Sequence, residues 1–367
     1  MMMRKRGGFP LEAIVDCEDS TLFSWNGTCP ESPDGKYLTY IKMAKLSEDL
    51  KEPLPAQLWV CRTDLTGHKK LYDFFAHQHN GADQSWIDDR RLVFQGRVEQ
   101  NISVFYVIDI FSGKLIYGPV YGRIGHSSRK QKILFGVYKE HDGKNERFPG
   151  IGEKGVYEFD CNTGLSRLVI STENMIHYLE SRGFQPIEET YNMIHLQYNP
   201  SATRIMARWD LQGAMVIIST DLNGNDKIGW MDKTFLHQLW YDDDTYVVFN
   251  RLEDVNTIGH YTQDGILIET LAGAANHFDA SPDKMWYVSD TAYFKTPIYI
   301  HLFRRGVTEP IAVLDEHHFG EPVWKLQAHA NPVFSRDGRR VYYMRPVSND
   351  KVQAVYVDIT SIINQAI

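Results

Sequence analysis

The sequence predicts an all-β fold, a seven-bladed β-propeller of four-stranded antiparallel blades, and three observations lead there. A polar turn followed by a strand rich in β-branched and aromatic residues recurs seven times, near residues 33, 88, 129, 200, 242, 282 and 336. After most of these turns comes a further apolar strand, a Gly/Asp turn and an outer strand, the repeat of a propeller blade. The last repeat stops after its third strand, and an N-terminal segment is there to supply the fourth.

The elements follow in order. The turn units read SPDGKYLTY (Ser32–Tyr40), IDDRRLVF (Ile87–Phe94), SRKQKILF (Ser128–Phe135), NPSATRIMA (Asn199–Ala207), YDDDTYVVF (Tyr241–Phe249), SPDKMWYV (Ser281–Val288) and SRDGRRVYY (Ser335–Tyr343). Third strands of the type LWVCRTD (Leu58–Asp64) recur as VFYVIDI (Val104–Ile110), GVYEFD (Gly155–Asp160), AMVIISTD (Ala214–Asp221), TIGHYT (Thr257–Thr262), PIYIHLF (Pro297–Phe303) and AVYVDI (Ala354–Ile359). Alternating apolar positions in short runs bounded by Gly and Asp are the strand signal. The third unit is longer because Val169–Tyr191 inserts a segment expected to form a short helix, Glu173–Gly183. An open ring would leave an unpaired edge. Phe9–Val15 is therefore expected to close it, and residues 1–367 form one domain.

Composition narrows the functional classes. The 367 residues are 43% hydrophobic and 13% aromatic, enough for a large core, and the net charge is −8. That balance disfavours nucleic-acid and anionic-membrane partners, while an anionic sugar still fits a locally positive site. Cys17, Cys29, Cys61 and Cys161 follow no metal-type spacing and read as reduced thiols. The basic start has no apolar run behind it and no stretch of 18 apolar residues exists, so a cytoplasmic location is expected, or a periplasmic or secreted one had a signal peptide been removed. No GxSxG elbow, Walker loop, GxGxxG or HExxH occurs.

Histidines carry the functional signal. His79, His126, His195, His237, His277 and His329 stand before six of the seven turns. His195, His237 and His277 lie five residues before Pro200, Asp242 and Pro282, and Asn331 holds that offset before Arg336. Residues two apart on a strand share a face. Gln327, His329 and Asn331 are thus expected to point together, as are His195 and Gln197. One such histidine reads as a structural imidazole bonded to the next blade; three in one register, among amides, read as a polar site. Imidazole and amide donors suit Mn or Zn better than Mg or Ca, and His277, Gln327, His329 and Asn331 come from consecutive blades. The same residues would equally serve a water network. Arg208 ends an otherwise apolar strand, where a guanidinium suits a carboxylate or sulfate or an ion pair with an acid such as Asp210. Tyr191 lies within reach of the same mouth, and His79 and His126 line the site or face solvent.

With these residues in place, the chain resembles the TolB-like propellers and, among them, the oligogalacturonate lyases. The likeness covers nearly the whole chain through its blade turns and rests on HLQYNPSATRIM, HQLW, NHFDASPD and QAHANPVFSRDG. It implies His237 as general base, His277, Gln327 and His329 as ligands of a divalent metal (manganese before zinc or calcium), and Arg208 as a looser match to a catalytic arginine. Where the family carries a His-x-His pair, this chain has His329-Ala-Asn331. The propeller ulvan lyases are similar in outline and point to His79, Tyr191 and Arg208.

The expectation is a polysaccharide lyase acting on an anionic, uronic-acid-containing oligosaccharide. His237 takes the C5 proton, the metal site or Arg208 neutralises the carboxylate, His79 or Tyr191 serves as acid, and His195, Gln197 and His126 bind substrate. A non-catalytic propeller holding a protein or sugar at its mouth is the alternative. A hydrolase or epimerase would use the same residue types.

Overall fold

The computed structural model describes residues 5–6, 9–44, 46, 52–79, 81–184, 193–211, 214–232, 237–252, 255–273, 276–291, 297–317, 329–348 and 350–365. Seven four-stranded antiparallel sheets form the blades of one ring. Their inner strands are Ser20–Leu22, Ser85–Trp86, Arg123–Arg129, Met193–Tyr198, His237–Trp240, Phe278–Ala280 and Val333–Phe334, for blades 1 to 7.

The recurring turn is held by its own side chains. In blade 1 the Ser32 hydroxyl donates to Asp34 (2.6 Å) and accepts the N–H groups of Lys36 and Tyr37. Ser281 with Asp283 and Ser335 with Asp337 repeat this arrangement. Asn199 and Asp242 do the same work as acceptors in blades 4 and 5. Such short polar side chains satisfy turn N–H groups that no ladder reaches. Five of the seven turns have a left-handed residue at their fourth position: glycine in two, Gly35 at φ +69° and Gly338 at φ +72°, and Gln131, Ala202 and Lys284 in the others; glycine adopts this conformation without steric cost.

The N-terminal strand Leu11–Ala13 pairs antiparallel with Lys351–Asp358, Leu11 facing Val357. It completes blade 7 as expected. Farther out, Lys5–Arg6 adds a parallel strand to Ala312–His317 of blade 6, an element the alternation pattern does not reveal. The inserted segment of blade 3 is a helix, Thr172–Ser181, started by the Ser171 hydroxyl accepting the Asn174 N–H at 3.1 Å. This is a regular N-cap. A short C-terminal helix, Thr360–Gln365, follows blade 7.

The core lies between adjacent blades, where facing sheets bury their alternating apolar residues. One cluster joins Leu58, Trp86, Phe94 and Val104 of blades 1 and 2; another joins Val93, Phe105, Phe135 and Phe159 of blades 2 and 3. Polar links reinforce the joints. Glu158 accepts hydrogen bonds from Lys132 (2.7 Å), Tyr198 of the next blade (2.9 Å) and Arg167 (3.2 Å). Burial works to raise the Glu158 acid, yet these donors hold it below the usual carboxylate range.

Candidate functional site

The six imidazoles converge. Each comes from a different blade, near the start of its inner strand, and blade 1 contributes Trp25 instead. The indole sits at the centre with ring centroids 5.2–5.9 Å from His79, His126, His195, His237 and His277, and it is 6% exposed. His126 stacks flat on it, at an interplanar angle of 9°. Neighbouring imidazoles also touch one another: His126–His195 at 4.9 Å, His237–His277 at 4.5 Å, His277–His329 at 4.7 Å and His79–His329 at 4.5 Å.

Two poles flank the indole. On one side a chain of hydrogen bonds runs from Asp290 through His277 to His329. The Asp290 carboxylate accepts both the backbone N–H of His277 and its ring Nδ1–H, each at 2.8 Å. With its proton on Nδ1, His277 presents a lone pair at Nε2, which lies 3.0 Å from Nδ1 of His329. A carboxylate behind an imidazole in this way is the usual outer support of a metal-binding histidine. Asn331 is 1% exposed, and neither atom of its amide has a hydrogen-bond partner; Nδ1 of His237 is likewise buried and unpartnered. The donors here suit a borderline divalent ion in type. Among the described residues, however, no group of three or more His, Cys, Asp or Glu side chains is placed to hold one. Gln327 lies outside the described residues.

The other pole is cationic. A cavity of about 170 Å³ is lined by Trp25, His79, Asp83, Arg123, His126, His195 and Arg208, with Ile124, Met193, Ile194 and Leu196 as its apolar wall. An adjoining void of about 160 Å³ shares His79, Asp83 and Arg123 and adds Arg97 and Gln95. Neither reaches the roughly 300 Å³ of a pocket for a drug-sized ligand; a carboxylate end of one sugar unit fits the scale better. A larger groove, about 1030 Å³, lies between the outer parts of blades 1 and 2. It sets Asp19, Glu52, Asp73 and Glu99 against Lys42 and Arg97, an excess of acid that does not suit an anionic sugar.

Burial keeps four of these imidazoles neutral. Burial first, then Arg123 and Arg208, pushes His126 down to about 3. Burial, Arg208 and His126 hold His195 well below its ordinary value; burial, His277 and Arg208 do so for His237; burial, His277 and His79 for His329. Asp83 moves the opposite way. Burial pushes its acid up to about 6 against the pull of Arg123 and Arg97, and its Oδ1 has no hydrogen-bond partner.

The sequence-derived residues divide between the poles. His79, His126, His195 and Arg208 line the cationic cavity, while His237, His277, His329 and Asn331 form the nitrogen-rich side. The alternation expected for His195 and Gln197 is broken by a bulge between Ile194 and Gln197, with His195 at φ +53°. His195 therefore lines the cavity while Gln197 donates to the Gln238 carbonyl of blade 5 at 2.9 Å. Tyr191 lies outside the described residues. Four residues escape the histidine pattern: Trp25, Arg123, Asp83 and Asp290. For Trp25 the absence of a histidine from blade 1 was itself a signal, and Arg123 stands three residues before His126.

No protein-family model matches the chain, and no curated protein matches it. Solved structures do. Oligogalacturonate lyase from Vibrio parahaemolyticus superposes with a TM-score of 0.63 at 11% identity, covering 96% of this chain and 94% of that one. An oligogalacturonate lyase in complex with manganese gives 0.60 at 13% identity, covering 96% and 93%. The β-propeller domain of Myceliophteria thermophila Cps50 (Swd1) gives 0.51 at 10% identity, covering 95% and 99%. At these identities the likeness establishes the fold, a seven-bladed β-propeller of the architecture seen in oligogalacturonate lyases.

Proposed function

We propose that this protein is a polysaccharide lyase that cleaves uronic-acid oligosaccharides by β-elimination at the histidine mouth of the tunnel. The observation that carries this reading is the small cavity in which Arg123 and Arg208 stand beside the neutral imidazoles of His126 and His195 and beside Asp83, whose acid burial raises to about 6. The two guanidiniums take the sugar carboxylate and stabilise the charge that spreads onto it as the C5–H bond breaks. His237 is the base that the resemblance implies; its unpartnered Nδ1 lies across the indole from the cavity lining, so it takes that proton only from a sugar that reaches past Trp25. Arrival of the anionic substrate raises the basicity of the neighbouring imidazoles, since an opposite charge favours their protonated form. As the electron pair returns from the enolate, the bond from C4 to the leaving oxygen breaks and Asp83, beside His79, gives that oxygen a proton. His126 and His195 bind and orient the ring against Trp25.

His277, His329 and Asn331, with Gln327 beside them in sequence, would hold a divalent ion, manganese before zinc or calcium. Bound there, it would supply a further positive charge to the carboxylate. The resemblance to the oligogalacturonate lyases supports this, as does the Asp290–His277 pair.

The test is the ultraviolet absorbance of the conjugated double bond formed from pectic and ulvan-type oligomers, with and without chelator. A wild-type signal that His237→Ala abolishes and His126→Ala only weakens supports the assignment. Full activity in His237→Ala overturns the base. A second reading, a propeller that binds the anionic sugar without cleaving it, is favoured by the indole filling the centre of the ring. It predicts saturable binding of the same oligomers with no new absorbance.

A further inference from the structure

The tunnel holds a second chamber at its other mouth, where the inner strands run into their turns. It encloses about 430 Å³ between residues of blades 1, 2, 3, 6 and 7 and shares no lining residue with the histidine cavity. A smaller void of about 230 Å³ continues from the chamber beneath blades 4 and 5, adds Lys284 to the wall and reaches His126, whose ring also borders the histidine cavity.

Two cations and one acid face the chamber: Arg129, Arg336 and Asp279. The Arg129 guanidinium makes one hydrogen bond, from Nη1 to the carbonyl of its neighbour Ser128 at 3.0 Å. Arg336 donates from Nε and Nη2 to the Glu31 carbonyl, at 3.3 and 3.2 Å. Neither guanidinium forms an ion pair among the described residues. Burial and the like charge of Arg336 hold Arg129 below its ordinary value. Asp279 does not supply a counter-charge in full, because its Oδ2 accepts the Phe334 N–H at 2.8 Å and burial pushes its acid up to about 7. The Glu31 carboxylate lies beside Arg336, its Oε2 accepting the Arg336 backbone N–H at 2.8 Å, so Arg129 is the less compensated of the two cations at this opening of a chain of net charge −8. Planar guanidiniums with free N–H groups match the oxygens of phosphate and sulfate.

We propose that this chamber is an anion site, separate from the histidine cavity, that takes a phosphate or sulfate group between Arg129 and Arg336. The group is carried in either as the free ion or as the ester of a sugar. The proposal does not depend on the lyase reading.

Titration calorimetry on the full chain tests it, with inorganic sulfate, inorganic phosphate and a sulfated monosaccharide at matched ionic strength. Saturable one-to-one binding is expected, weakened about tenfold or more by Arg129→Gln and unchanged by Arg208→Gln. Arg129 carries the test because its bond is local, whereas Arg336→Gln also loosens Glu31 and is read only after its fold is checked by circular dichroism. Binding of the ester without the free ions identifies a sugar ester as the source; equal binding of the free ions identifies the inorganic anion. No saturable binding by any of the three, or binding lost in Arg208→Gln and kept in Arg129→Gln, overturns the proposal.

Discussion

Replacing Trp25 by alanine tests whether the indole is what holds the histidine ring together and dry. The side chain is 6% exposed and touches five imidazoles from five blades. Removing a buried Trp side chain costs about 3–5 kcal/mol through lost burial and the cavity left behind. Here the surrounding walls are imidazoles, and water entering the space recovers part of that by hydrating them. The expected loss is therefore near the low end, about 3 kcal/mol, read as a shift of the urea midpoint at unchanged slope. A second readout comes from proton NMR of the ring histidines. His126 is pushed down to about 3 chiefly by burial, so water in place of the indole returns it toward its ordinary value of about 6.5. A variant as stable as wild type refutes the packing role. A His126 that stays where it was refutes burial as the cause, and would leave Arg123 and Arg208 as the source of the shift.

Two further predictions concern stability. Burial raises Asp279 from 3.8 to about 7, so the folded state holds its proton more tightly than the unfolded chain does. Its contribution is greatest below about pH 4 and is lost as pH rises toward 7. Asp279→Asn keeps the acceptor for the Phe334 N–H and removes that slope, making the variant more stable relative to wild type at pH 8 than at pH 4. Part of the residue stays open to the chamber, so the change is about 2 kcal/mol; equal slopes of unfolding free energy against pH in both proteins count against it. Deleting residues 1–15 strips the fourth strand from blade 7 and bares the edge of Lys351–Asp358. The truncated chain should self-associate in gel filtration, since an open edge is a template for pairing; a monomer of unchanged thermal midpoint would show that the closure is dispensable.

Much of the architecture was legible because propeller blades repeat their chemistry. A Ser, Asn or Asp near the head of each turn, an Asp or Gly within most of them, and β-branched or aromatic runs after it are local signals, and the side-chain bonds of Ser32, Ser281 and Ser335 explain why they recur. The missing outer strand of blade 7 was legible for a different reason: an incomplete last unit demands a donor. The candidate site was legible only in part. Histidine register located six imidazoles at one mouth, but simple alternation did not foresee the bulge at His195 or the left-handed backbone at Asn331, φ +46°. Trp25 stayed hidden because one indole among eight tryptophans has no motif. Asp290 and Asp83 stayed hidden because their roles depend on which blade faces which, a matter of the closed ring and not of any single segment.

The closure in blade 7 also sets a timetable for the chain's birth. Leu11–Ala13 leaves the ribosome well over 300 residues ahead of its partner Lys351–Asp358. Synthesis at about 5–20 residues per second leaves that first strand waiting tens of seconds for its mate. The ring can shut only once both strands have been made. Six sheets thus stand ready before the last can be sewn, and the interval between is when this protein most needs protection from its neighbours.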